Sequence, residues 1–387
     1  MTFDIVIIGG GPAGNKAASL LSREYDVMVI EEHSTSGEPI QCTGLISDEV
    51  LELSGVQPEI LNELYGASIT FPNGRKISIR SKERKAVLID RGDLDRKMAY
   101  AASDSGAVHN YSTKYISHKA TDSEVTITTD KGEHVSQMLI GADGHGSVTA
   151  RTINDNAPLE YVRGIQVDVK RRTEDQEMIN IRIGSDIAPG FFSWEIPFGD
   201  MTRIGLCTSW EYGPPSAYLK NLLKKLDVSD DDIVKRYSGR IPIGGRRRTY
   251  ADRLLLIGDA AGQVKPISGG GLQPAFRSSY ALSETMNEAF DENDFSERSL
   301  SVYEKRWKRD IGKELKRGYR LRRMYTSMND DELNTMSEIA DNERITDTLN
   351  NGNIDHPSDL LIPLMRDPVA LIKLAPLMLR TAVRGNK

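Results

Sequence analysis

The chain opens on an unbroken apolar run: Ile5, Val6, Ile7 and Ile8 are all β-branched and lack polar alternation. That is the pattern of a strand buried on both faces. Residues 13–23 follow with helical spacing, and Val27 to Ile30 make a second apolar run, so the first thirty residues predict strand, helix, strand. Further on, 67–71, 76–80 and 86–90 read as short strands, and 91–105 as an amphipathic helix. Strands are expected near 107–119, 124–129 and 133–140, with Asp122 and Asp130-Lys131-Gly132 marking turns. Alternation over 160–170, 177–183, 190–197 and 202–208 predicts one antiparallel sheet. Helices are expected over 215–236, and from about 291 the chain reads as mainly helical.

Glycines punctuate this pattern twice. Gly9-Gly10-Gly11-Pro12-Ala13-Gly14 follows the first strand, and Gly258-Asp259-Ala260-Ala261-Gly262 follows the apolar run 254–257, about 250 residues later. In the first motif Gly9 permits a sharp turn, Gly11 lets backbone approach a pyrophosphate, and Gly14 lets the helix pack on the strand. Pro12 and Ala13 open that helix, whose positive end and free N–H groups face the phosphates. Glu31, followed by Glu32, ends the second strand at the spacing expected of a carboxylate that binds a ribose diol. It disfavours a 2′-phosphate but does not separate NAD from FAD. The second motif does. Asp259 is placed to bond the hydroxyls of a ribityl chain, and a helix beginning near Ala260 or Gly271 can present N–H groups to phosphate or flavin. With the Ala142-Asp143-Gly144 turn between them, the two motifs point to FAD held along its whole length.

The fold class that follows is α/β. A Rossmann-type FAD-binding domain of residues 1–50, 81–155 and 240–290 is interleaved with an antiparallel-sheet substrate domain of 51–80 and 156–239. A helical region spans 291–387. Composition narrows the setting. A net charge of −6 argues against nucleic acid as a partner, and no apolar run is long enough for a transmembrane helix. The N-terminus enters a strand at once, leaving no room for a signal peptide. Two cysteines far apart, Cys42 and Cys207, fit a reducing cytosol, and the six histidines show no metal-ligand spacing.

GxGxxG, the ADG turn and GDAAG-x3-P-x2-GGG, in that order, resemble the flavoproteins related to para-hydroxybenzoate hydroxylase, over most of residues 1–290. The resemblance implies that Arg91, in Asp90-Arg91-Gly92-Asp93-Leu94, lies near the ribose and phosphates of FAD, and that Asp143, mainly a turn residue, touches the cofactor. Within that superfamily, Gln41-Cys42-Thr43-Gly44-Leu45 resembles the cysteine loop of geranylgeranyl reductases. The run 188–197, with Phe191, Phe192 and Trp194, resembles their aromatic motif. Gly205 follows as in that motif, but Cys207 stands where its second glycine would be, a departure that bears on the pocket's shape. Gly269, Gly270 and Gly271 complete the match and are expected against the isoalloxazine.

The resemblance implies saturation of isoprenoid double bonds in prenylated glycerophospholipids or geranylgeranyl diphosphate. Such a bond is unpolarised, so it needs a hydride on one carbon, a proton on the other and shelter from water. Phe191, Phe192 and Trp194 are candidates for a dry, π-rich wall, with ordinary strand core as the plainer reading. Cys42 is a candidate proton donor or gate beside the flavin, and Cys207 a weaker candidate for substrate contact; a buried small hydrophobe is the plainer reading of each. Electrons would come from NAD(P)H, a reduced deazaflavin or ferredoxin, and no second dinucleotide fingerprint is visible. The rivals are a flavin monooxygenase or halogenase, since Phe192-x-Trp194-x-Ile196-Pro197 partly resembles the Trp-x-Trp-x-Ile-Pro motif of flavin halogenases, and a lipid-binding flavoprotein without turnover.

The C-terminal third carries one more signal. Residues 303–325 hold many more basic than acidic residues, and 360–383 are apolar with interspersed arginine and lysine. These segments either rest on an anionic membrane, placing a cytoplasmic protein at its inner face, or pack on the FAD domain with their charges in water. For most of 303–325, packing is the expectation.

Overall fold

The structure, a computed structural model, describes residues 2–153 and 160–340, together with Asn350 and Asp355. Thr2–Ile8 takes an interior position in an eight-stranded sheet because its apolar side chains face both ways. Ile5 and Ile7 enter one core with Ala17, Leu21 and Met286, while Val6 and Ile8 enter another with Ile30, Val125 and Ile127. The strand pairs in parallel with Val27–Ile30 and with Gly132–Gly141. Leu254–Leu256 adds in parallel beyond Gly132–Gly141. Register then fixes the site. Ile8 lies opposite both Ile30 and Gly141, and Gly141 lies opposite Leu256, so both glycine motifs leave the sheet at the carboxyl ends of parallel strands that flank Gly132–Gly141. That is where ligands bind in open parallel sheets.

A second sheet runs in the order Ile233–Ile243, Glu160–Val169, Met201–Ser209, Ser193–Phe198, Met178–Arg182, Gly66–Thr70, Lys76–Arg80. The first five strands are antiparallel, and Met178–Arg182 meets Gly66–Thr70 in parallel. Its two faces separate cleanly. Val162, Trp194, Ile196 and Cys207 point one way, whereas Val167, Ile204 and Leu206 point the other, against helix Pro215–Lys225. A small sheet of Leu45–Ile46, Ala86–Ile89 and Ile60–Leu64 lies between.

The helical expectation over 215–236 is corrected. The helix stops at Lys225, the Ser229–Asp232 capping box turns the chain, and Ile233–Ile243 is an edge strand along Glu160–Val169. The stripe of Leu219, Leu222 and Leu223 is helical, but beyond it the backbone satisfies its hydrogen bonds in the ladder instead. Past residue 291 the described chain is helical: Glu297–Asp310, Gly312–Thr326 and Asp330–Ala340. Leu300, Tyr303 and Trp307 bury into the core beside the first sheet, so that segment packs as expected. The tail 360–383 lies outside the described residues. Among the described residues no helix is long and apolar enough to cross a membrane.

Candidate functional site

A single cavity of about 910 Å³ runs from the glycine motifs to the inner face of the second sheet. That is near the upper end for ligand sites. Gly9 sits at φ +107°, where a Cβ would lie 2.4 Å from the Ala142 carbonyl oxygen. A Cβ on Gly14 would lie 2.0 Å from the Gly9 oxygen, so strand, turn and helix touch through bare backbone. Around Gly11 the space is open on the cavity side. The Glu31 carboxylate accepts from the Gly10 N–H at 2.7 Å and from the His33 N–H at 2.9 Å, holding the loop while lining the cavity. Glu32 is half-exposed at the rim, facing Lys114 at 4.0 Å.

Asp259 lines the same cavity. Its carboxyl accepts no hydrogen bond from the described residues, and burial pushes it up to about 6, with Arg91 the opposing charge. Gly271, at the start of helix Leu272–Glu292, approaches so closely that a Cβ there would be 2.9 Å from Asp259 Oδ1. Gly269 and Gly270 continue this wall. Arg91 donates to both oxygens of Asp95, at 2.9 and 3.1 Å, one turn along its own helix. Asp143 accepts from the hydroxyls of Ser147 and Thr149 and from the N–H groups of Val148 and Thr149, so its carboxylate holds the turn. An open approach to Gly11, an unpartnered carboxyl at Asp259 and a helix start at Gly271 fit FAD: diphosphate at the first motif, ribityl hydroxyls at Asp259. Asp259 also sets a pH dependence. Its folded value lies above the unfolded one, so the cost of charging it is absent below about pH 4 and grows as pH rises through 6. FAD-free D259N is therefore expected to melt higher than the wild type at pH 7.5, by about 2 °C, with no difference at pH 4.

Opposite the glycine motifs lies the Cys42 loop, and the second sheet anchors it. Gln166 Nε2 donates to the Cys42 carbonyl at 3.1 Å, and Thr43 Oγ1 donates to Gln166 Oε1 at 3.0 Å. Arg203 donates to the Thr43 carbonyl at 2.5 Å and makes a bidentate pair with Asp168, at 2.7 and 2.9 Å, which also accepts from the Tyr237 hydroxyl at 2.8 Å. Neither Gln166 nor this Arg203–Asp168–Tyr237 cluster was legible beforehand, because only strand register places them beneath the loop. Strand alternation offered the one available signal: polar residues at 166 and 168 on the face that also carries Val162.

The aromatic residues form one wall. Phe191 and Phe192 stack with centroids 4.5 Å apart, and Phe192 meets Trp194 edge-on at 6.1 Å. All three line the cavity. A Cβ on Gly205 would lie 2.5 Å from the Trp194 ring, so that glycine makes room for the indole; G205A is expected to displace it and quench or shift its fluorescence. Trp194 Nε1 is buried without an acceptor among the described residues. Cys207 is packed against the Gly164 backbone, and burial pushes its thiol up to about 12, so it keeps its proton. Lys265, which sequence reasoning passed over, is buried beside Gly270 and ion-paired with Asp355, a contact between distant segments that no local pattern encodes.

The profile of the lycopene cyclase protein family matches residues 4–348. The digeranylgeranylglycerophospholipid reductase 2 of Methanothermobacter thermautotrophicus is 30% identical over 356 residues, spanning 87% of this chain and 91% of that protein. The digeranylgeranylglycerophospholipid reductase of Methanocaldococcus jannaschii is 29% identical over 353 residues, spanning 87% and 90%. Among solved structures, a geranylgeranyl bacteriochlorophyll reductase-like protein from Thermoplasma acidophilum superposes with a TM-score of 0.82 at 21% identity, covering 97% of this chain and 99% of that one. A halogenase in complex with FAD superposes with a TM-score of 0.67 at 16% identity, covering 97% and 85%. At these identities the structural likenesses establish a shared fold. The sequence matches go further: the chain matches the lycopene cyclase protein family over most of its length and belongs with the geranylgeranyl reductases, as an FAD-dependent oxidoreductase.

Proposed function

We propose that the protein saturates isoprenoid carbon–carbon double bonds of geranylgeranyl groups, in a prenylated glycerophospholipid or in geranylgeranyl diphosphate. One observation carries this reading: the cavity that joins both glycine motifs is lined at the second sheet by the aromatic wall of Phe191, Phe192 and Trp194. Bound FAD, once reduced, supplies hydride to one alkene carbon. The residues supply the rest. Gly9, Gly11, Pro12, Ala13, Gly14, Glu31 and Glu32 hold the adenosine and diphosphate end. Arg91 lies near the ribose and phosphates, and Asp259, Asp143 and Gly269 to Gly271 hold the ribityl and ring end. Phe192 and Trp194 present π-faces to the carbon that becomes electron-deficient and keep water away. Cys42, held by Gln166 over the cavity, gives the proton to the second carbon and borders the cofactor. Phe191, Gly205 and Cys207 shape the channel for the prenyl chain.

In this reading the cofactor domain is 1–50, 81–155 and 240–290, the substrate domain 51–80 and 156–239, and the helical region begins at 291. An external donor, whether NAD(P)H, a reduced deazaflavin or ferredoxin, reduces the flavin in the cytoplasm.

The test is anaerobic. Dithionite-reduced enzyme is mixed with geranylgeranyl lipid while flavin reoxidation and the lipid's mass are followed together. Reoxidation with a gain of one H2 per saturated bond is expected. No reoxidation without oxygen, but rapid reoxidation with it, would move the monooxygenase or halogenase reading to the front. A π-face contact of about 1–2 kcal/mol predicts that F192A or W194A retains FAD while single-turnover reduction slows roughly tenfold.

A further inference from the structure

Helix Gly312–Thr326 has two unlike faces. On its inner face Gly318 packs on Pro266, Tyr319 joins the cluster of Phe191 and Trp194, and the Tyr325 hydroxyl donates to the Phe191 carbonyl. The helix therefore backs the aromatic wall of the cavity. Its outer face carries Lys313, Lys316, Arg317, Arg320 and Arg323, all exposed, at the spacing of one helical stripe. None of the five is ion-paired among the described residues, although the chain as a whole carries a net charge of −6.

Next to this helix is a second surface. Arg322 reaches from it to the Gly190 carbonyl at 3.2 Å and the Ser209 hydroxyl at 3.1 Å, where the chain turns outward through Trp210 and Tyr212. These two rings are 46% and 45% exposed. The Arg163 guanidinium stacks on Trp210 at 3.4 Å, and Arg240, which lines the cavity, lies 5.4 Å from the same ring. An exposed Trp and Tyr flanked by guanidinium groups and a basic helix is the composition that suits a headgroup layer. The rings enter the interface while the cations meet phosphate.

We propose that the turn 210–212 and helix Gly312–Thr326 form the docking face by which the protein sits on an anionic lipid bilayer. The purpose rests on the lipid reading above: a substrate held in a membrane must enter a cavity whose aromatic wall this helix supports. The charge complementarity does not depend on that reading. An acidic protein partner would match the lysines and arginines but gives no use for the paired exposed aromatics.

The experiment uses the flavin-loaded enzyme and sedimentation with vesicles of phosphatidylglycerol and phosphatidylcholine in equal parts, compared with phosphatidylcholine alone. Neither lipid is a substrate, so a failure here leaves alkene reduction standing, and a failure of reduction leaves binding standing. Wild-type enzyme is expected to bind the anionic vesicles alone and to be released by salt. Each basic residue near such a surface is worth about 1 kcal/mol, so K316Q/R317Q/R320Q should weaken partition roughly a hundredfold. W210S/Y212S should weaken it about tenfold while leaving the salt dependence. Reduction of detergent-dispersed substrate by the triple variant should match wild type, which also shows that it folds. No wild-type binding, equal binding to uncharged vesicles, or full binding by the triple variant would overturn the proposal. So would stripe-dependent capture of an acidic electron-transfer protein without vesicle binding.

Discussion

Valine in place of Gly11 should leave the fold intact and empty it of FAD. Gly11 sits at φ −77°, a backbone conformation open to any residue, and a Cβ there meets no atom within 4 Å. Nothing in the protein itself resists a side chain. If the diphosphate lies on this turn, though, the branched group occupies its place and breaks the approach to the N–H groups of helix Pro12–Leu21. We expect FAD affinity to fall at least about 100-fold, with the FAD-free melting temperature unchanged, as for other exposed substitutions. G14A is the contrasting variant. Its Cβ would sit 2.0 Å from the Gly9 oxygen, so the strand–turn–helix unit itself must shift, and a loss of several kcal/mol is expected. Flavin absorbance after gel filtration and apo-protein melting separate the two. A G11V protein that keeps its yellow colour would move the diphosphate off this turn.

R203M should unsettle the protein more than any other single change near the cavity. Arg203 and Asp168 are buried, with side chains 8% and 7% exposed. Removing the guanidinium strands the carboxylate with Tyr237 as its remaining donor, and breaking one partner of such a pair costs about 3–5 kcal/mol. It also frees the Thr43 carbonyl, and with it the Cys42 loop. Two readouts are expected to move together: a lower melting temperature and alkylation of Cys42 faster by about tenfold. R203K tests the geometry. Lysine keeps the charge against Asp168 but lacks the fork that also reaches Thr43, so most stability should return while the fast alkylation persists. Slow alkylation in both variants would remove Arg203 from any part in holding the loop.

Much of the cofactor half was legible because its signals are local. A strand buried on both faces, a glycine turn and a following helix fall within the first twenty-one residues, and Glu31 follows at the end of the next strand. The same holds for Gly258 to Gly262 after Leu254–Leu256. The stretch 215–236 departs from the helical expectation because Ile233 to Ile243 mixes charged and apolar residues without strong periodicity. Pairing with Glu160–Val169, not propensity, makes it a strand. Phe192 and Trp194 were identified by motif, yet the wall they form depends on Gly205, one strand away, which alone leaves space for the indole.

The backbone's special points are written locally in the chain: where it turns sharply, where it can meet a phosphate, and which runs are buried. Those follow from side-chain size and periodicity over a few residues. Long-range packing leaves the Asp259 carboxyl without a hydrogen-bond partner among the described residues, sets Gln166 and Arg203 to hold the Cys42 loop, and brings Lys265 to Asp355. The same holds for the bare basic face on a helix whose other side supports the aromatic wall. Burial, hydrogen bonding and charge balance belong to neighbours brought together from distant parts of the chain, and no local pattern carries them.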